Sequence, residues 1–330
     1  MLKVPLSVLE LATVAAGGNA GTAIKTTVDV ARHVESLGFT RLWLAEHHNM
    51  EYIASSATAV LIGHVAGNTS QLRVGSGGVM LPNHTPLVVA EQFGTLETLY
   101  PGRIDLGLGR APGTDQATAA ALRRNNMTSA YNFPTDILEL QNYFSSDNRD
   151  SRVRAFPAEG LNLPIWILGS STDSAHLAAQ MGLPYAFAAH FAPAQFRAAI
   201  KIYKDEFRPS AQLDKPYVIA CVNIMAAETD EEADLLTTSL YRLFLGVLTN
   251  ERMPLQPPSP LPPDFWTPDV RYAVNSMTSC TFTGGPETLK KKLSVFIADT
   301  GIDEIMAASH IFDPAAKLKS FTILRDALKN

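Results

Sequence analysis

Apolar runs of strand length recur down the chain, each ending in polar residues and followed by a segment of helical periodicity. The first run, Val4 to Leu11, leads through Ala15-Ala16-Gly17-Gly18-Asn19 into a helix over Thr26 to Leu37, which Gly38 stops. Arg41 to Ala45 is a second strand, Ser56 to Gly67 a helix, and Leu72 to Leu81 a third strand with Gly75-Ser76-Gly77-Gly78 in its middle. Pro86 to Leu99 is a helix, Pro101-Gly102 a turn, and Ile104 to Leu108 a fourth strand. A long polar passage from Arg110 to about Gly160 holds one further helix, Thr135 to Phe144. Then strands at Pro164–Leu168, Tyr185–Ala189 and Tyr217–Ala226 alternate with helices at Asp173–Met181, Pro193–Phe207 and Asp230–Leu248. Seven prolines fall between residues 253 and 268, too many for regular structure, which predicts an insertion packed on the surface. A helix over Pro286–Thr300, a last strand over Glu304–Ala307 and a closing helix over Pro314–Leu328 complete the chain.

The strands read as continuous apolar runs without in–out alternation, which belongs to parallel sheets covered on both faces. Eight such strand–helix units predict an α/β fold, a (β/α)8 TIM barrel, in a single domain over residues 1–330. Its insertions fall after the fourth strand and before the last helix–strand unit. An open doubly wound sheet is the alternative, but no composition break divides the chain into halves.

Composition narrows the function. Of 330 residues, 46% are hydrophobic and 18% charged, enough for a sizeable core, and the net charge is −5. With no basic run, nucleic acid is not an expected partner. Cys221 and Cys280 are too few for a disulfide framework or a closed zinc site. No apolar stretch reaches the roughly 18 residues of a membrane span, and Met1 to Pro5 runs into a strand without a signal-peptide core. The expectation is a cytoplasmic protein with no membrane partner.

Chemistry in a barrel of this kind gathers where the strands end. There stand Glu10, Glu46-His47-His48, Gly77-Gly78, Asn83-His84, Arg110, Ser170 to Ser174, His190 and Ser309-His310. Ser170, Ser171 and Ser174 open a helix, whose free N–H groups and dipole suit an anion; an ordinary Ser/Asp cap explains them equally well when taken alone. Arg110 follows the neighbouring strand and is always charged, so the two together suit a phosphomonoester. Gly77-Gly78 admit either a flat group against the backbone or a bulge. Gly107-x-Gly109-x-x-x-Gly113 is not a dinucleotide fingerprint, since the spacing differs and Pro112 interrupts the helix start. No metal is expected: His47 and His48 are adjacent and point apart, and nothing favours Glu46 joining His84 or His190 around an ion. Without a G-x-S-x-G elbow, Ser-His-Asp hydrolysis is set aside.

Leu42 to His48, Val74 to Pro82, Gly102 to Arg110, Ile167 to Ser171, Ala178 to Pro184 and Gly284 to Glu287 together resemble the bacterial luciferase-like flavin monooxygenases. Gly109 to Gln116 and Tyr185 to Phe191 are similar to the stand-alone, non-luminescent branch. The resemblance implies FMN, used reduced with O2 through a flavin C4a-hydroperoxide to oxidise a small organic substrate. It implies that Arg110, Ser170, Ser171 and Ser174 hold the phosphate and that the Gly77-Gly78 peptide, often cis in the family, lies beneath the flavin ring. His47 matches the catalytic histidine, with Glu46 beside it. It also implies a separate flavin reductase, since no nicotinamide fingerprint occurs, and a homodimer. Residues 110–160 and 253–268 are the expected lids. Luciferase proper has a reactive cysteine where this chain has Gly109, which argues against light emission and long-chain aldehyde oxidation. An F420-dependent hydride-transfer oxidoreductase on the same fold and a non-catalytic flavin-binding protein are the alternatives.

Overall fold

The computed structural model describes residues 4–111, 115–122, 132–263 and 265–329. Its strands are β1 (Leu6–Glu10), β2 (Arg41–Leu44), β3 (Arg73–Ser76), β4 (Val79–Met80), β5 (Ile104–Gly109), β6 (Ile165–Gly169), β7 (Tyr185–Phe187), β8 (Val218–Ala226), β9 (Thr281–Gly284) and β10 (Glu304–Ala308). Eight of them close a parallel barrel in the order β10-β1-β2-β3-β5-β6-β7-β8, with β8 returning to β10 at Glu304–Ile219 through Ala308–Asn223. This is the (β/α)8 barrel that the alternation of elements predicts. Two short strands lie off the ring: β4 continues β3 and pairs Val79 with Leu108, and β9 runs beside the end of β8.

The helices are α1 (Ala20–Ser36), α2 (Thr58–Gly67), α3 (Pro86–Leu99), α4 (Gln116–Leu122), α5 (Phe133–Phe144), α6 (Thr172–Met181), α7 (Phe196–Glu206), α8 (Asp230–Thr249), α9 (Pro268–Met277), α10 (Pro286–Thr300) and α11 (Pro314–Leu328). Among the described residues, no helix is long and apolar enough to cross a membrane.

Side-chain alternation divides the apolar residues into two layers. Val8, Leu42, Leu44, Val74 and Ile305 point outward into the shell between barrel and helices, which is the main core. Leu9, Trp43, Ala45, Trp166, Ile219, Cys221 and Met306 point inward and fill the bore. The N-terminal end of the bore is plugged by charge. Arg41 binds Asp105 at 2.8 Å and Glu304 at 2.9 Å, and its guanidinium lies 4.7 Å from the centre of the Trp166 ring. Tyr217 Oη donates to Glu304 at 2.8 Å. The bore is therefore closed below and offers chemistry only at its C-terminal mouth.

Several elements differ from the sequence expectation. α1 starts at Ala20 and not Thr26, because Asn19 and Thr22 form a reciprocal capping box. The third strand breaks in two at Gly77-Gly78, whose peptide bond is cis. The helix expected from Pro193 begins as a 3-10 turn and becomes α-helical at Phe196. α4, β9 and α9 were not anticipated; α9 is capped by the Thr267 hydroxyl, which accepts from Val270 N–H. The proline-rich insertion is tied down where Leu255, buried, exchanges hydrogen bonds of 2.9 Å with Val14 and Ala16. Of the expected lid over 110–160, residues 112–114 and 123–131 lie outside the described residues, as do Pro112, Gly113 and Thr114 of the Gly109–Gln116 motif.

Candidate active site

Arg110 directly follows β5, and Ser170 to Ser174 join β6 to α6, so the barrel order puts both groups on adjacent staves of one rim. Arg110 Nη2 reaches Asp173 Oδ2 at 3.3 Å. Ser170 and Arg110 are exposed, and Ser171, extended at the helix start, makes no side-chain cap. The Gln195 side chain takes Thr172 N–H instead, at 2.9 Å. Ser174 turns its hydroxyl into the wall, donating to Ser171 O at 2.7 Å and meeting Tyr185 Oη at 2.8 Å. Of the three serines, Ser170 and Ser171 thus remain for a ligand's outer oxygens, while Ser174 shapes the turn.

One stave before Arg110, where β3 gives way to β4, lies the Gly77-Gly78 peptide. A Cβ on Gly78 would come 2.7 Å from the Gly107 carbonyl, and one on Gly77 would come 2.5 Å from Leu9 Cδ1. The barrel's own packing therefore demands both glycines, and their lack of side chains leaves a bare peptide as a floor.

Glu46 and His47 are neighbours in sequence, and they part company in space. His47 lies near enough to His190 to affect its charge. Burial, together with that neighbour, pushes the His190 imidazole down to about 4. His310, also buried and near Lys317 and His190, is pushed down to about 3. Both rings are therefore neutral at pH 7. Lys317 itself is held by Glu10 at 2.7 Å, which makes Glu10 an anchor for α11. Asn223 donates to the His190 carbonyl at 2.7 Å. Four enclosed polar atoms in this group, His190 Nδ1, Asn223 Oδ1, Ser309 Oγ and His310 Nδ1, have no protein partner. A buried polar atom without a hydrogen bond is costly, so such a set marks a place where a ligand's donors and acceptors belong. A flat heterocycle edged with carbonyl and N–H groups has that chemistry, and with the glycine floor and the exposed guanidinium, the residues fit FMN. Asn223 is the member that strand-end reasoning passed over; its signal was an amide inside the apolar run Val222-Asn223-Ile224.

Glu46 faces the other way and is 2% exposed. Its Oε1 accepts from His48 Nε2 at 2.9 Å and His84 Nε2 at 2.8 Å. Burial raises the Glu46 carboxyl, but the hydrogen bonds and charge of His84 and then His48 outweigh that and hold it below the usual range. The structure thus gathers Arg110, Ser170 and Ser171 on one side of the mouth and His47 with His190 in the bore, while Glu46 joins His48 and His84 outside it.

Residues 4–304 match the family described as Luciferase-like monooxygenase. The chain is 53% identical to the uncharacterized protein YvbT of Bacillus subtilis, covering 98% of this chain and 97% of that one. It is 48% identical to a luciferase-like monooxygenase of Escherichia coli, over 98% and 96% of the two chains. Among solved structures, apo-MsnO8 superposes with a TM-score of 0.88 at 32% identity, over 98% of each chain. The fold is also that of a type II Baeyer–Villiger monooxygenase solved in complex with FMN, at a TM-score of 0.74 and 15% identity, over 98% of this chain and 97% of that one. With the family match spanning nearly the whole barrel and its mouth, the chain belongs to the luciferase-like monooxygenases and is a flavin-dependent monooxygenase.

Proposed function

We infer that this enzyme binds reduced FMN and uses O2 to oxidise a small organic substrate, the reduced flavin being delivered by a separate reductase. The observation that carries the reading is the run of neighbouring staves that sets the bare Gly77-Gly78 peptide, Arg110 and the start of α6 side by side on one rim, with His47 near His190. Bound reduced FMN supplies two electrons, so that one oxygen atom enters the substrate and the other leaves as water. Arg110 would pair with the phosphate, the Ser170 and Ser171 hydroxyls would donate to its oxygens, and Gly77-Gly78 would support the ring. His47 gives or takes the proton that the oxygen transfer requires, at an imidazole nitrogen turned into the bore. Glu46 acts through the loop that carries His47, as a positioning residue.

The enclosed Nδ1 atoms of His190 and His310 keep a hydrogen-bonding lining without adding charge, which suits a site that must exclude water. The finer expectations stand with this reading. Cys221 and Cys280 are free thiols that burial keeps protonated, Cys280 being pushed up to about 11, in keeping with a reducing cytoplasm. Val60 on α2 and Val88 and Leu99 on α3 are exposed apolar side chains that a homodimer would cover.

The test is anaerobic titration of the purified protein with reduced FMN and, separately, with reduced F420, followed by rapid mixing with oxygenated buffer. FMN should bind in the micromolar range, and its reoxidation should be slower than in free solution. His47→Ala should keep FMN yet release hydrogen peroxide faster. Binding of F420 and not FMN would point to hydride transfer instead. FMN binding with reoxidation no different from free flavin would leave a non-catalytic carrier.

A further inference from the structure

The Glu46-His47-His48 tripeptide that follows β2 does two jobs. His47 lies near His190, whereas Glu46 and His48 meet His84, which comes from the loop after β4. We propose that Glu46, His48 and His84 form a binding site for a first-row divalent transition-metal cation, separate from the flavin site.

Both imidazoles present Nε2 to the same oxygen, Glu46 Oε1, at 2.9 and 2.8 Å, and the three ligand atoms all lie within 4.8 Å of one another. An arriving ion would replace these two hydrogen bonds, and an imidazole–carboxylate donor set suits Mn2+, Fe2+, Co2+, Ni2+ or Zn2+. Two imidazoles and one carboxylate select against Mg2+ and Ca2+, which want oxygen only.

A cleft of about 100 Å³ opens on Glu46 and His84, with Ser56, Thr58 and Gln92 set among apolar side chains of its wall. It has room for the waters that would complete the coordination shell, with hydroxyl and amide groups along its wall to orient them. With Glu46 and His84 facing the cleft, an ion held there would keep one side open to water. Glu46, ionised and buried, supplies the negative charge that offsets the ion. When the cation takes the Nε2 lone pairs, each imidazole carries its proton on Nδ1 or loses it to solvent, so binding should weaken in acid. The ion would clip the loop after β2 to the loop after β4, with His47 fixed one peptide away from two of its ligands.

The experiment uses the full chain without flavin, stripped with EDTA and titrated with Co2+ by calorimetry and visible absorption. One equivalent should bind per chain, and a hundredfold excess of Mg2+ should not compete. Glu46→Gln and His84→Ala should each weaken binding by about tenfold or more. Because either variant could fail to fold, the unmutated protein loaded with one equivalent of Cu2+ provides a second readout: electron spin-echo modulation should report two coordinated imidazoles. Less than half an equivalent of Co2+, unchanged affinity in both folded variants, or a signal from fewer than two imidazoles would overturn the site. None of these outcomes depends on whether FMN is the cofactor.

Discussion

Arg110 and Asp173 meet at 3.3 Å across the ends of two adjacent barrel strands, and both side chains are about half exposed or more, at 49% and 68%. An ion pair this open contributes at most about 1 kcal/mol to stability, so it is easily traded. A phosphomonoester arriving at the start of α6 would draw the guanidinium away from Asp173 and gain a charge-assisted bond of about 1.5–3 kcal/mol. Arg110→Ala should therefore weaken FMN binding about 10- to 100-fold, measured by flavin fluorescence, with little change in thermal midpoint. Asp173→Asn should bind FMN as tightly as the unmutated chain or more tightly, because a competing carboxylate is removed.

Gly77 and Gly78 should separate in their response to alanine. The new methyl group at Gly78 would meet the fixed carbonyl of Gly107 at 2.7 Å, whereas at Gly77 the nearest atom is the movable tip of Leu9. Gly78→Ala should destabilise by about 1–3 kcal/mol and Gly77→Ala by less, read as the shift in urea midpoint at constant slope. If the two cost the same, the packing of β3 and β4 against β5 is not what requires Gly78.

What the sequence made legible, and what it did not, follows the range of the interactions concerned. Strands buried on both faces must be apolar throughout, so the eight barrel runs stood out, and α3 was bounded at Pro86 and Leu99 by its flanking Thr-Pro and Tyr-Pro-Gly. The first turns of α1 were lost because Gly21 and Thr22 are exposed and carry no periodicity; the Asn19–Thr22 cap was the readable signal. Strand ends also told which residues stand on the rim. They could not tell which rim residues pair. His84 reaches Glu46 across 38 positions, and only the sequence of turns after β3 and β4 decides that contact. The expectation that His47 and His48 point apart holds the key to the Glu46–His48–His84 cluster, since residues two apart on an extended chain then fall together.

Acid should loosen the fold through the bore histidines. His190 and His310 titrate at about 4 and about 3 in the folded chain, below the 6.5 of an unperturbed imidazole. Between those values and pH 6.5 the unfolded chain binds more protons, so stability rises with pH across this window and is complete above it. The two groups together should account for a loss of a few kcal/mol as pH falls from about 7 to 4. Urea midpoints measured across that range for His310→Gln should show a shallower slope than the unmutated chain. An identical slope would mean that another group governs the acid limb.

The charged plug at the closed end of the bore offers a stability test far from the mouth. Arg41 is buried between Asp105 and Glu304, and those two carboxylates overcome the cost of burying it and keep its pKa raised. Asp105 also binds Arg73 and accepts from Trp43 Nε1 at 3.0 Å, so one carboxylate satisfies three donors. Asp105→Asn would keep the shape but leave two guanidinium groups short of their counter-charge, one of them buried. Breaking a buried pair from one side costs about 3–5 kcal/mol, more than replacing the whole pair with apolar groups. The urea midpoint of Asp105→Asn should fall accordingly. Pairing it with Glu304→Gln should cost more than the sum of the two, because Arg41 keeps one counter-charge in either single variant and loses both in the double. Strict additivity would mean that Arg41 does not couple the two carboxylates.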